Sequence, residues 1–263
     1  MTWPFDVAPP VPLPPGRPVV GEEGEGTEPL LWISDGPAPA GLWEQLHRAH
    51  PQSGLWPLLL RPLRNDTDFR PWLSGELSTE RASDPAGHDP AALLREWWEP
   101  DGEFDPEEAE EEYEALAPYG PAWPGLAPAV TLPDSAADAE ARGLAEVLQS
   151  VEDVRLGLVP ARSGAEALVA CGWSGPLNHE NDIAKIAAVL ADWERRFGAQ
   201  VVEVGFDTLQ LSIPVPPATL AEALPPTAEH AALCPDQIHQ GAGSLTAYAE
   251  QLVGSHRWHF WWD

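Results

Sequence analysis

Trp258-His259-Phe260-Trp261-Trp262-Asp263 decides how this chain folds. Trp258, Phe260 and Trp262 alternate with His259 and Trp261, the period-two pattern of a strand with one buried face. Left free in water, a segment this rich in aromatic rings would be an aggregation hazard, and chain ends fray unless something ties them down. It is therefore expected to dock as the closing strand of a sheet, received by the residues before it.

Those residues have the patterning of a packed body. Asp182 to Phe197 reads as the strongest helix, with Ile183, Ile186, Leu190, Trp193 and Phe197 on one apolar stripe. Asn181 is its expected N-cap and Gly198 its stop. Val201 to Gly205 and Leu209 to Ile213, joined by Phe206-Asp207-Thr208, predict a β-hairpin. Helical turns over 219–233 and 244–253 lead to the last strand, and Pro225-Pro226 is expected to break or kink the first of them. Upstream, 136–150 reads as helix and Val154 to Val159 as strand. Ser163-Gly164-Ala165-Glu166 has capping-box spacing and opens a helix through Ala170.

Toward the N-terminus the pattern thins. Leu30-Leu31-Trp32-Ile33, a helix over 39–50 stopped by Pro51 to Gly54, and the strand Leu55 to Leu60 make a small β-α-β unit. Pro57 sets that strand at an edge, or starts its pairing at Leu58. A helix from Pro90 to Trp98 precedes an acidic block, Glu99 to Glu114, whose run Glu107 to Glu112 reads as a solvated face. Pro118 to Pro133 reads as a loop wrapping the body. The expected fold is α+β: a mainly antiparallel sheet with helices packed on it, plus the N-terminal β-α-β extension and long Pro-rich loops. The expected organisation is a flexible Pro/Gly/Glu-rich leader (1–29), an α/β extension with the acidic segment (30–133) and a C-terminal α+β domain (134–263).

Composition sets outer bounds. The chain has 263 residues, enough for a core without staples, and two cysteines, Cys171 and Cys234, too few for a disulfide framework. Met1 to Asp6 lacks the features of a signal peptide, and no stretch approaches a membrane span, so a cytoplasmic protein is expected. With 42 acidic against 14 basic groups the net charge is −28, concentrated in the first half, which disfavours nucleic acid and anionic lipid as partners. Thirteen tryptophans stand beside six phenylalanines and three tyrosines, so tryptophan fills core roles that other aromatics usually fill.

Five separated motifs bear a family likeness: Gly172-Trp173-Ser174-Gly175-Pro176-Leu177-Asn178, Trp193-Glu194-Arg195-Arg196-Phe197-Gly198-Ala199, Gly205-Phe206-Asp207-Thr208-Leu209, Glu229-His230-Ala231-Ala232-Leu233-Cys234-Pro235-Asp236, and Phe260-Trp261-Trp262-Asp263. Together they resemble an uncharacterised bacterial family, the domain of unknown function numbered 4253, over residues 151–263. Gly54-Leu55-Trp56-Pro57 and Trp123-Pro124-Gly125-Leu126-Ala127-Pro128 are similar to the extension of some members. Pro225-Pro226 departs from the family pattern. The resemblance implies no activity, substrate or catalytic residue.

The chemistry-bearing cluster is Glu229, His230, Cys234 and Asp236, with His239 beyond it. On a helix His230 and Cys234 would share a face, as a zinc pair does, but there is no CxxC, no HExxH and no second ligand pair, so no metal or other cofactor is expected. Cys234 could act as a nucleophile with a histidine base, or simply pack at a helix end. Glu229 and Asp236 could form an acid/base pair, or a satisfied network with Arg195, Arg196 or the tryptophan-rich strand. Packing is the favoured reading throughout. Trp173, Asn178, Asp207 and Arg195 are candidate binding residues. The expected function is thus a non-enzymatic intracellular binding or regulatory module with a protein partner, of immunity type or a regulatory adaptor. The alternative is a hydrolase-like or metal-dependent enzyme at Glu229, His230, Cys234 and Asp236.

Overall fold

The computed structural model describes residues 3–22, 26–99, 113–151 and 153–263. The acidic run Glu107 to Glu112 lies outside them. Seven strands form one sheet: β1 (Gly16–Val19), β2 (Leu31–Pro37), β3 (Leu55–Leu60), β4 (Arg155–Pro160), β5 (Gln200–Val204), β6 (Thr208–Ser212) and β7 (Arg257–Trp261). Their order across the sheet is β1-β2-β4-β3-β5-β6-β7. Strand β4 runs antiparallel to both β2 and β3, and β5-β6-β7 is an antiparallel meander. At the junction of the two halves β3 runs parallel to β5, through Leu59 with Glu203 and Leu60 with Val204. The fold is α+β, and its sheet is mixed, which corrects the expectation of a mainly antiparallel one. A parallel pair needs a long crossover between its strands, and here the whole chain from 61 to 199 supplies it.

Helices cover both faces. On one, α1 (Leu42–Ser53) and α3 (Ala136–Val151) bury Trp43, Leu46, Leu144 and Leu148 against Leu55, Leu59, Leu156 and Val202. On the other lie α2 (Pro90–Trp98), α4 (Gly164–Ala170), α5 (Ile183–Phe197), α6 (Leu220–Leu233) and α7 (Leu245–Leu252), over Leu58, Leu60, Leu209, Leu211, Trp258 and Phe260. Among the described residues no helix is long and apolar enough to cross a membrane.

The closing strand is where its alternation puts it. Trp258, Phe260 and Trp262 are buried on the face that carries α5, α6 and α7, and β7 pairs with β6 from Thr208–Trp261 to Ser212–Arg257. Its outer edge is not bare. Gln237 Nε2 donates to the His259 carbonyl at 2.7 Å, and Cys234 Sγ to that of Trp261 at 2.9 Å. An exposed row of such groups would invite another strand.

Several local expectations change. The leader, expected to be flexible, contributes β1, held in register on β2 from Gly16–Ser34 to Val19–Leu31. Helix α1 runs through Pro51 to Ser53, because a proline in the last turn removes one hydrogen bond only, and Gly54 ends it at φ 64°. Strand β3 is central rather than at an edge; Pro57 is accommodated because the ladder to β5 begins only at Leu59. Asp182, not Asn181, caps α5, accepting from Ala184 N at 3.1 Å and from the Ser83 hydroxyl at 2.6 Å. Helix α6 continues through Pro225-Pro226 from Leu220 to Leu233. At Gly172 (φ 69°) a Cβ would lie 2.8 Å from the Ser78 backbone nitrogen, so only glycine lets the 64–80 loop close here through Ser78 N to Gly172 O.

Candidate functional site

Arg196 on α5 and Glu229 on α6 meet in the interior. The guanidinium faces the carboxylate with both terminal nitrogens, Nη1–Oε1 at 2.9 Å and Nη2–Oε2 at 2.5 Å. Glu229 also accepts from Trp193 Nε1 and Ala127 N, each at 2.6 Å. Asp192, one turn before Arg196, takes its Nε at 2.5 Å, and Nη1 reaches the Ala127 carbonyl at 2.9 Å. Every charge here is matched by hydrogen bonds from three separate parts of the chain, the condition under which a buried ion pair is tolerated. Arg195, one residue earlier on α5, points outward and pairs with Asp192.

His230 follows Glu229 but serves a different environment. Its ring is fully buried among Trp258 (4.3 Å between centroids), Phe260 (4.9 Å), Trp193 (5.0 Å) and Tyr248 (5.9 Å). Nδ1 lies 3.3 Å from the Tyr248 hydroxyl. Burial pushes its pKa down to about 3, so the imidazole is neutral. Cys234 sits at the end of α6, also fully buried, and burial pushes its thiol up to about 12. A thiol held protonated is a poor nucleophile. Asp236 is half-buried: Oδ2 accepts from Asp263 N at 3.1 Å and Oδ1 from Gln240 Nε2 at 2.8 Å. The four residues thus do not converge. Glu229 faces α5, His230 faces the aromatic strand, Cys234 faces the β7 edge and Asp236 faces the last residue. Among the described residues no group of three or more His, Cys, Asp or Glu side chains could hold a metal ion.

The candidate binding residues divide in the same way. Trp173 is sealed, its Nε1 donating to the Gly205 carbonyl at 2.8 Å and to that of Phe206 at 3.2 Å, with its ring edge-on to Trp262 at 5.8 Å. Asn178 and Asp207 come together above it, in a groove of about 400 Å³ shared with Glu22, Glu76, Trp262 and Asp263. Arg195 is not part of this groove. Burial raises the pKa of Asp207, against a backbone hydrogen bond that lowers it, and the nearby Asp263 adds to the rise. Glu76 is held down to about 2 by its hydrogen bonds from Arg70. That arginine also lies over the Phe206 ring, 5.2 Å from its centroid. Glu22 and Glu76 come from the N-terminal half, and no motif or local spacing announces that they share a groove with Asp207.

No curated protein and no solved structure matches the chain. The segment that carries β4 through β7 and the Glu229–Asp236 stretch, residues 155–263, matches the family model described as domain of unknown function (DUF4253).

Proposed function

We propose that this protein is a non-enzymatic binding module whose partner is a protein presenting a basic segment. The observation that carries this reading is the placement of Glu229, His230 and Cys234, each at 0% exposure, with their bonding directed into the fold. An acid/base or nucleophilic site needs those groups at a surface that substrate can reach. Here they brace the layer beneath β7. What the molecule offers outward is charge: a net −28, with the Asn178–Asp207 groove bounded by Glu22, Glu76 and Asp263. Arg70, which lies over the Phe206 ring, is already engaged by Glu76. Carboxylates around the groove suit a lysine or arginine side chain, which gains ion pairing there.

Calorimetric titration with an octa-arginine peptide tests the reading, because a merely acidic protein binds it diffusely. Glu22→Gln with Asp207→Asn is expected to weaken binding about tenfold, the size of one or two lost charge contacts. The control pair Glu44→Gln with Glu146→Gln removes the same charge from a separate cleft beside α1 and α3 and is expected to change little. Equal weakening by the two pairs would defeat the assignment of the groove.

A further inference from the structure

A second cavity, of about 290 Å³, opens where α6 passes the 127–130 and 215–217 loops. Its walls are apolar: Phe197, Val130, Val215 and Trp258, with the rings of Pro225 and Pro226. Proline nitrogen carries no hydrogen, so the bonds that Ala221 and Glu222 carbonyls would receive from positions 225 and 226 cannot form. Both residues line the cavity. The amides of the helix start are already engaged, Glu222 N by the Thr219 hydroxyl at 3.3 Å and Ala223 N by the Thr219 carbonyl at 3.0 Å. The Glu222 carboxylate accepts from Ala218 N at 2.8 Å. The α6 wall therefore offers two carbonyls without helical donors, released by the proline pair, beside a carboxylate whose charge only the Ala218 amide meets.

We propose that this cavity binds a small organic amine, with the apolar body against Trp258, Phe197 and the proline rings and the ammonium on the Ala221 and Glu222 carbonyls and the Glu222 carboxylate. An ammonium supplies the donors the released carbonyls lack, and charge-assisted hydrogen bonds are the strong kind. The volume sits at the low end for ligand pockets, which limits the body to about one ring. The site is separate from the Asn178–Asp207 groove and stands whether or not that groove takes a protein partner.

The test is titration of the full chain with phenethylamine, its neutral isostere 2-phenylethanol and the anion phenylacetate, followed by calorimetry and by the ¹⁵N-indole resonance of Trp258, assigned with Trp258→Phe. Phenethylamine is expected to saturate one site, to shift that resonance, and to bind at least about tenfold more tightly than 2-phenylethanol, with phenylacetate weaker still. Pro225→Ala restores the missing amide to the Ala221 carbonyl. It is expected to weaken phenethylamine about tenfold while leaving the fold intact, since alanine suits a helix interior better than proline. Glu222→Gln is expected to weaken it several-fold by the same charge argument. The proposal fails if the alcohol or the acid binds as well as the amine, if Pro225→Ala leaves affinity unchanged, or if the Trp258 resonance does not respond.

Discussion

Glu229→Met isolates the energetics of the buried ion pair. The substitution keeps an unbranched side chain at a fully buried position and removes the acceptor of four hydrogen bonds. Arg196 would keep Asp192 on its Nε but lose the carboxylate that faces its two terminal nitrogens. Breaking one side of a buried pair costs about 3–5 kcal/mol. The orphaned Trp193 indole and Ala127 amide add about 1–3 kcal/mol each where they find no other acceptor. The expected loss is thus about 5 kcal/mol or more, against a total stability of about 5–15 kcal/mol for an ordinary domain. Urea denaturation followed by tryptophan fluorescence reads the change directly. Arg196→Met together with Glu229→Met removes both charges, so the double variant is expected to be more stable than the sum of the single losses by several kcal/mol. A loss under about 1 kcal/mol for Glu229→Met, or simple additivity in the double variant, would refute the claim that this pair holds α5 to α6.

The thiols of Cys171 and Cys234, both pushed up to about 12 by burial, are expected to ignore a thiol reagent at pH 8 in the native protein and to react promptly in urea; rapid native labelling of Cys234 would reopen the nucleophile reading. His230 has a folded pKa near 3 against an ordinary 6.5. The unfolded chain therefore binds the extra proton between those values, and stability is full above pH 6.5 and falls as the pH drops toward 3. His230→Phe is expected to flatten that slope in pH-dependent denaturation, although His259, lowered to about 4, leaves part of it. Phe260→Ala, at 0% exposure against Trp193 and His230, is expected to cost about 3–5 kcal/mol by thermal denaturation. A Tm within a degree of the parent protein would mean that β7 is dispensable.

The parts of this fold that were legible carry their signal locally. Strand β7 shows in the alternation of Trp258, Phe260 and Trp262, α5 in its apolar stripe, and the β5–β6 hairpin in its short polar turn. What could not be read depends on partners distant in sequence. The parallel pairing of β3 with β5 joins Leu59 to Glu203, and nothing local to either marks it. Burial of His230 and Cys234 follows from the rings and backbone of β7, which comes after α7 in the chain, so spacing on α6 alone suggested a shared face that the helix end undoes. Pro225-Pro226 does not break α6, because intrinsic propensity is local and packing of Ala228, Ala231 and Ala232 in the core outweighs it.

The strand order has a consequence for the matched segment. Residues 155–263 supply β4, β5, β6 and β7, but β3, from residues 55–60, is hydrogen-bonded between β4 and β5. Cut out by itself, that segment would carry an open slot where β3 lies, with β5 unpaired on that side and β4 paired on neither, since β2 is missing as well. Such a slot is filled by whichever extended chain reaches it first. A synthetic peptide of residues 55–60 would join β4 to β5 by strand donation, and two copies lacking it would tend to pair at their open edges.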